Sequence, residues 1–219
     1  MMNNNVTILN SRPISYLLNK LRNKNTNNKD FMIYGDRLMR MLAEEVFCRL
    51  PNIGIGLIET PCGKCDGLVD KHDIDICIVS IIRAGDALLE AFRCIQPGVK
   101  IGKILIQRDE DSKNKDAILY YKKLPKNISN TSTIILVDPM IGTGGSAKKA
   151  ISVLLESRIL QEQIIFANIV CCPEGLENIL TEYPNIKIIT TAVDPKLDHK
   201  KYLTPGLGDY GDRYYGTQE

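Results

Sequence analysis

Histidine is almost absent from this chain: His72 and His199 are the only two in 219 residues. That scarcity leaves no plausible Ser-His-Asp or Cys-His triad. His199 stands beside Asp198, near the C-terminal tail, but a lone histidine in a loop is ordinarily just exposed, and a general base needs reach before it needs a suitable pKa. No apolar run approaches the roughly 18 residues of a membrane-spanning helix. The opening stretch, Met1 to Thr7, is polar and Asn-rich and lacks the apolar core of a secretion signal. A cytoplasmic location and no membrane partner are therefore expected. A broad basic stripe is missing too. The net charge is +2 and both signs are interspersed, which argues against a nucleic-acid partner. Seven cysteines, an odd number, read as reduced thiols. Cys62 and Cys65 have C-x-x-C spacing, but no second such pair completes a zinc site. Pro61 and Gly63 place them in a loop rather than at the start of a redox helix. A structural role is expected for them, and no protein-held metal.

What is present is ordinary globular material, 44% hydrophobic and 25% charged, in a length that suits one domain. Residues 1–30, rich in Asn and Lys, read as a flexible arm with a short helix near Ile14 to Leu21; residues 31–219 read as a single domain. Leu38, Met41, Leu42 and Val46 form one stripe of a helix over Asp36 to Leu50. Beyond Pro51 and Gly54, apolar β-branched runs alternate with helical patterns. Strands are expected at Ile74–Ile82, Ile101–Gln107, Thr133–Val137, Ile164–Val170 and Ile186–Val193. Helices are expected near Asp86–Ile95, after Ser146, and at Glu174–Leu180, with a hairpin or flap over Ala117–Leu124. Continuous apolar strands imply a sheet covered on both faces, hence mostly parallel. The expected fold is α/β, a doubly wound sheet with a small hood or flap. Ligands of such sheets bind beyond the carboxyl ends of the strands.

Three strands end on residues suited to an anionic ligand. Thr133–Val137 runs into Asp138-Pro139-Met140-Ile141-Gly142-Thr143-Gly144-Gly145-Ser146 and then a helix. Backbone N–H groups, hydroxyls and a helix N-terminus converge there, as a phosphate monoester requires. The loop lacks the Gly-Lys-Ser/Thr ending of a Walker A motif. Asp138 suits sugar hydroxyls, because a carboxylate accepts two hydrogen bonds at once. Ile74–Ile82 ends at Arg83, and Ile101–Gln107 ends at Arg108; arginine grips phosphate oxygens with a planar fork of donors. The tail, Lys201 to Thr217, places four glycines and a proline among Leu and Tyr. Ordering so much glycine is costly. That pattern fits either a packed terminal loop or a rigid backbone surface that reads a flat polar ring.

These segments resemble uracil phosphoribosyltransferases. Asp138-Pro139-Met140 with Thr143-Gly144-Gly145-Ser146 resembles that family's motif for 5-phosphoribosyl 1-diphosphate (PRPP), with Asp-Pro where other type I phosphoribosyltransferases generally carry two acids. Pro205-Gly206-Leu207-Gly208-Asp209 with Gly211-Asp212-Arg213 is similar to the family's uracil-binding tail. Ser80 to Gly85 and Ile101 to Glu110 look like the eukaryotic branch. The likeness runs from about Ser15 to Thr217.

The resemblance implies a type I phosphoribosyltransferase fold that converts uracil and PRPP to UMP and diphosphate. It implies that Arg83 and Arg108 contact the diphosphate, Asp138 the ribose hydroxyls, and Thr143 to Ser146 the 5-phosphate, within a PRPP site spanning Asp138 to Ser146. Leu203, Gly208 and Tyr210 would offer backbone groups to uracil. Asp209 would lie on the PRPP side of the same turn and, with Arg83 and Arg108, act in catalysis. Mg²⁺ would accompany the diphosphate. A homodimer or homotetramer and a possible GTP effector follow from the same likeness. Two departures stand out: Asp86-Ala87 follows Gly85 where small residues are usual, and Cys171-Cys172-Pro173 replaces Ala-Ala-Pro. A catalytically silent homologue, such as those fused to uridine kinases, and a regulator on the same fold are the alternative readings.

Overall fold

The computed structural model describes residues 4–108, 117–128 and 133–217. In chain order the elements are β1 (Val6–Ile8), α1 (Arg12–Arg22), α2 (Asn28–Phe47), β2 (Ile53–Thr60), β3 (Gly63–Asp70), β4 (Ile76–Ile82), α3 (Gly85–Ile95), β5 (Lys100–Arg108) and β6 (Ala117–Lys123). There follow β7 (Thr133–Val137), β8 (Met140–Ile141), α4 (Gly145–Glu156), β9 (Ile164–Cys171), α5 (Pro173–Glu182), β10 (Lys187–Val193), β11 (Lys196–Leu197), β12 (Leu203–Thr204) and α6 (Tyr210–Tyr215).

The main sheet runs β1-β10-β9-β7-β4-β5-β6, with β8 added beside β9. Every pairing from β1 to β5 is parallel, and β6 closes the edge antiparallel to β5. The alternation of side chains along each strand feeds two cores. Ile135 and Val137 of β7 face one cluster, with Leu38, Leu42 and Val46 of α2 and Leu88 and Phe92 of α3. Ile134 and Leu136 face the other, with Ala150, Ile151 and Leu154 of α4 and Ile179 of α5. This is the α/β doubly wound, mostly parallel sheet expected from the apolar runs.

Residues 4–30 are packed rather than loose, which corrects the expectation of an arm. Ile14, Leu17, Leu18 and Leu21 of α1 are buried in the first cluster, each stabilising the fold by roughly 1.5–3 kcal/mol relative to exposure. Asparagine, which suggested a loop, here caps a helix: the Asn27 side chain accepts from the Asp30 N–H at 2.9 Å. A cap that satisfies an orphan donor starts α2 at Asn28, not Asp36. Val6–Ile8 adds an edge strand beside β10.

The second difference is a two-stranded hairpin, β2 with β3, set apart from the main sheet. Gly56 pairs with Gly67 across it. Glycines at alternate positions hide the strand alternation of Ile53 to Ile58, so the segment reads as loop. Cys62 sits in its turn and Cys65 opposite Ile58, and both are exposed. Ile55, Leu57 and Leu68 stand 61–65% exposed along the hairpin.

Candidate active site

The carboxyl ends of adjacent strands β5, β4 and β7 carry Arg108, Arg83 and Asp138. Gly85 opens α3 so close to β7 that a Cβ there would lie 2.5 Å from the Val137 carbonyl oxygen; only glycine lets the two loops lie side by side. Asp86 is turned toward the sheet, where its carboxylate accepts from Ser80 Oγ (2.6 Å) and Lys103 Nζ (2.8 Å). The departure from small residues at position 86 is thus absorbed by two local partners. Arg108 ends β5, opposite Ala117; its side chain lies outside the described residues, as do Asp109 and Glu110.

The loop from Asp138 to Ser146 is fixed by backbone. The Pro139 carbonyl accepts from Ile169 and Val170 N–H (2.9 and 3.1 Å), and Met140–Ile141 pairs with Val170–Cys171. Gly144 caps α4 at φ +84°, a left-handed value glycine adopts without strain. Helix α5 backs the loop. A Cβ on Gly175 would meet the Gly142 oxygen at 2.1 Å, Cys172 Sγ donates to that same oxygen at 3.3 Å, and Asn178 Nδ2 donates to the Thr143 carbonyl at 3.1 Å. The Gly142 and Thr143 carbonyls just ahead of α4 are thus tied back by Cys172 and Asn178, next to a helix N-terminus of the kind that suits an anion.

The tail does not end as a plain loop. Asp209 caps the short helix α6, its Oδ1 accepting from the Asp212 N–H at 2.9 Å, and Tyr210 begins that helix. The ring of Tyr210 is buried, edge-on to Phe31 (5.2 Å) and stacked on Tyr214 (5.8 Å). Its hydroxyl contacts Met39 Sδ at 3.3 Å, in space left by Gly35, where a Cβ would come within 2.9 Å. The side chain is anchored inward, and the residue as a whole is 1% exposed. Leu203 is buried in β12, while Gly208 is exposed at φ +80°.

The tail meets both other parts of the constellation. Arg83 Nη2 bonds Asp212 Oδ1 (2.5 Å), Nη1 bonds Thr217 Oγ1 (2.9 Å), and the guanidinium lies 5.8 Å from the Tyr215 ring centre. A Cβ on Gly211 would stand 3.1 Å from Arg83 Nη2 and 3.3 Å from Asp209 Oδ1, so Arg83 and Asp209 share one corner. A Cβ on Gly142 would stand 3.6 Å from the Lys201 carbonyl, which brings the phosphate-type loop against the turn joining β11 and β12.

A profile of the uracil phosphoribosyltransferase family matches residues 8–217. The chain belongs to that family. Relatives described as uracil phosphoribosyltransferases include one from Dictyostelium discoideum, 41% identical over 98% of both chains. Another, from Saccharomyces cerevisiae, is 44% identical over 89% of this chain and 88% of its own. Among solved structures, the AQ2163 protein of Aquifex aeolicus superposes with a TM-score of 0.81, 27% identity, and coverage of 97% of this chain and 99% of that one. An adenine phosphoribosyltransferase from Trypanosoma brucei shares the fold at a TM-score of 0.51 and 13% identity, over 75% of this chain and 68% of that one.

Several residues shape this family site in ways that the sequence alone does not give. Arg213 is 7% exposed, and burial pulls its pKa down. It donates to the carbonyls of Leu21, Leu207 (2.6 Å) and Asn23 (2.8 Å), with its guanidinium 4.3 Å from the Phe31 ring centre. Gly175 and Asn178 have no motif signal. Asp194, which follows β10 as Asp138 follows β7, carries the same strand-end signal.

Proposed function

We infer that this chain transfers the phosphoribosyl group of PRPP to uracil, forming UMP and diphosphate in pyrimidine salvage. The observation that carries the reading is the meeting of three parts at one sheet edge: Arg83 after β4, the Asp138–Ser146 loop after β7, and the glycine-rich tail that touches both. In this reading Thr143 to Ser146 and the N-terminus of α4 hold the 5-phosphate, and Asp138 takes the ribose hydroxyls. Arg83 and Arg108 bind the diphosphate and stabilise the charge that builds on it as the anomeric bond breaks. Backbone groups of Leu203, Gly208 and Tyr210 read the edge of uracil. The tail and the loop hold the reactants in line, so no protein nucleophile is required. Asp209, beside Arg83, or water takes the ring proton.

Mg²⁺ belongs to this reading as part of the PRPP substrate. Among the described residues no three His, Cys, Asp or Glu side chains cluster to hold a metal; in this reading the ion is carried chiefly by diphosphate oxygens and water. The ion would supply charge neutralisation at the leaving group.

A homodimer at least is expected, because Ile55, Leu57 and Leu68 give the β2–β3 hairpin an apolar face to cover. A GTP effector rests on the eukaryotic-type segments alone. Among the described residues no helix is long and apolar enough to cross a membrane, which is compatible with a cytoplasmic enzyme. Incubation with PRPP, Mg²⁺ and labelled uracil should give labelled UMP, with orotate, hypoxanthine and adenine poor substrates. Purine nucleotides as the main product, or no nucleotide at all, would overturn the reading in favour of another base or a silent homologue.

A further inference from the structure

Asp194 follows β10 at the ligand edge of the sheet, and its backbone N–H is tied to the Cys171 carbonyl at the end of β9 (2.7 Å). Its side chain is buried, 2% exposed for the residue. Oδ2 accepts from the Gly206 N–H at 2.8 Å and from Arg22 Nη1 at 3.0 Å, and Oδ1 accepts from Arg22 Nη2 at 2.5 Å. Arg22, in the last turn of α1, also donates through Nη1 to the Gly206 carbonyl at 2.7 Å. The N–H and C=O of one glycine are thus both held by a single bidentate ion pair. The partners lie 12 and 184 residues away in sequence.

Gly206 is the residue at which the tail turns toward Gly208 and Tyr210. Its φ is +62°, and a Cβ would strike the Leu203 carbonyl oxygen at 2.1 Å. That conformation leaves its two polar groups pointing away from ordinary strand partners. Buried backbone groups must be paired, and here an ion pair rather than a ladder pairs them. A buried carboxylate is costly unless an opposite charge and further donors satisfy it; Arg22 and the Gly206 N–H do so together. The planar guanidinium serves both carboxylate oxygens and a carbonyl from one rigid group, which a lysine ammonium cannot match.

We propose that Arg22 and Asp194 are positioning residues for base recognition: the pair fixes the Gly206 peptide relative to the sheet and so sets where Gly208 and Tyr210 present their backbone groups. The inference rests on the reading of this tail as the uracil-binding element. It gives α1, from the segment that reads in sequence as a flexible arm, a part in choosing the base without touching it. Neither residue is within the Asp138–Ser146 loop, so their effect separates by substrate.

The test compares Arg22→Ala, Arg22→Lys and Asp194→Asn with the wild type in steady-state kinetics, with melting curves to confirm folding. The expected result is a uracil KM raised about tenfold or more, the scale of losing a charge-assisted hydrogen bond. The PRPP KM should change by less than about threefold, since that binding energy is untouched. Arg22→Lys should fall between wild type and Arg22→Ala. A uracil KM unchanged in folded variants, or uracil and PRPP KM rising together, overturns the proposal. If Arg22→Ala or Asp194→Asn fails to fold, Arg22→Lys decides by the same criterion. Hydrogen exchange gives a readout apart from activity: the Gly206 amide should be protected in the wild type and exchange faster in Arg22→Lys, and equal exchange in both overturns the clamp. A wild type that forms no UMP overturns the functional reading instead and leaves the clamp to the exchange measurement.

Discussion

Arg83 and Asp212 form an ion pair, Nη2 to Oδ1 at 2.5 Å, that joins the end of β4 to the first turn of α6. The arginine assigned to diphosphate is therefore held by the tail assigned to the base. One edge of the guanidinium serves Asp212 and Thr217; in the proposed reading the other edge serves the diphosphate. The pair is half-exposed, so its strength is that of a screened surface contact, about 0.2–1 kcal/mol. Asp212→Ala should accordingly raise the PRPP KM only a few fold, and no change would show that Arg83 does not depend on the tail. The Arg83 hydrogen bond, and after it that of Thr217, holds the Asp212 carboxyl below the usual aspartate range. A depressed carboxyl keeps its contact above the ordinary aspartate pKa and loses it only as pH falls through the lowered value. The activity profile near neutral pH should therefore be indifferent to this pair.

Gly208 stands at φ +80°, and a Cβ there would lie 3.3 Å from Arg213 Cδ. Forcing a β-branched residue into the left-handed region costs about 1–3 kcal/mol and crowds the arginine that holds the Leu207 carbonyl. Gly208→Val should raise the uracil KM about tenfold or more, or abolish turnover. PRPP affinity measured by calorimetry should stay close to that of the wild type. Normal use of uracil by this variant, or conversion of cytosine as fast as uracil by the wild type, would remove the tail from base recognition.

The opposite selectivity is expected at Gly175. A Cβ there would meet the Gly142 carbonyl oxygen at 2.1 Å and the Ile141 side chain, at Cγ2, at 2.8 Å, and the Gly142 backbone cannot retreat without moving the Asp138–Ser146 loop. Gly175→Ala should destabilise the fold by about 1–3 kcal/mol, the cost of overpacking, and weaken PRPP binding. Thermal melting together with PRPP calorimetry checks both; a variant with wild-type values in each would show that α5 and the loop can separate freely.

The thiols divide by burial. Burial pushes Cys77 and Cys171 up to about 12 and raises Cys172 as well. Because the thiolate is the reactive species, a folded sample at mildly alkaline pH should label at Cys48, Cys62, Cys65 and Cys94, the exposed four, and at all seven only on unfolding. Rapid native labelling of Cys77 or Cys171 would contradict the packing described. The same shift predicts alkaline instability. The contribution of these thiols is complete below the ordinary thiol pKa of 9.0 and is lost as pH rises toward about 12.

The parallel sheet was legible because its central strands are mostly apolar runs, broken only singly as by Ser80 and Asn168, and the loop after β7 because glycine and hydroxyl residues follow that strand directly. The sequence signal failed where structure depends on distant partners. Asn27 reads as a loop residue until its side chain is seen capping α2. The Gly56–Gly67 pairing erases the alternation of the β2–β3 hairpin. Helix α6 is six residues long, and its stability comes from Phe31, Met39 and Asp36 of α2 rather than from its own composition. Arg22 carries no local motif, and Arg213 is quoted only as part of the tail; Asp194 lies 172 residues from Arg22, and the Leu21 carbonyl 192 residues from Arg213.

That last separation bears on how the molecule assembles. Contacts such as Arg213 to the Leu21 carbonyl and Arg22 to Asp194 close loops of 192 and 172 residues. Loop-closure entropy must be spent before such contacts repay it. On a ribosome, where the earlier part of a chain folds first, α1 emerges long before the tail that completes it. The phosphate half of the cleft, built within β7 to α5, can form from one continuous stretch. The tail waits for both ends of that long circuit to meet, so, in the reading proposed above, a nascent chain would acquire its grip on an anion before its choice of base.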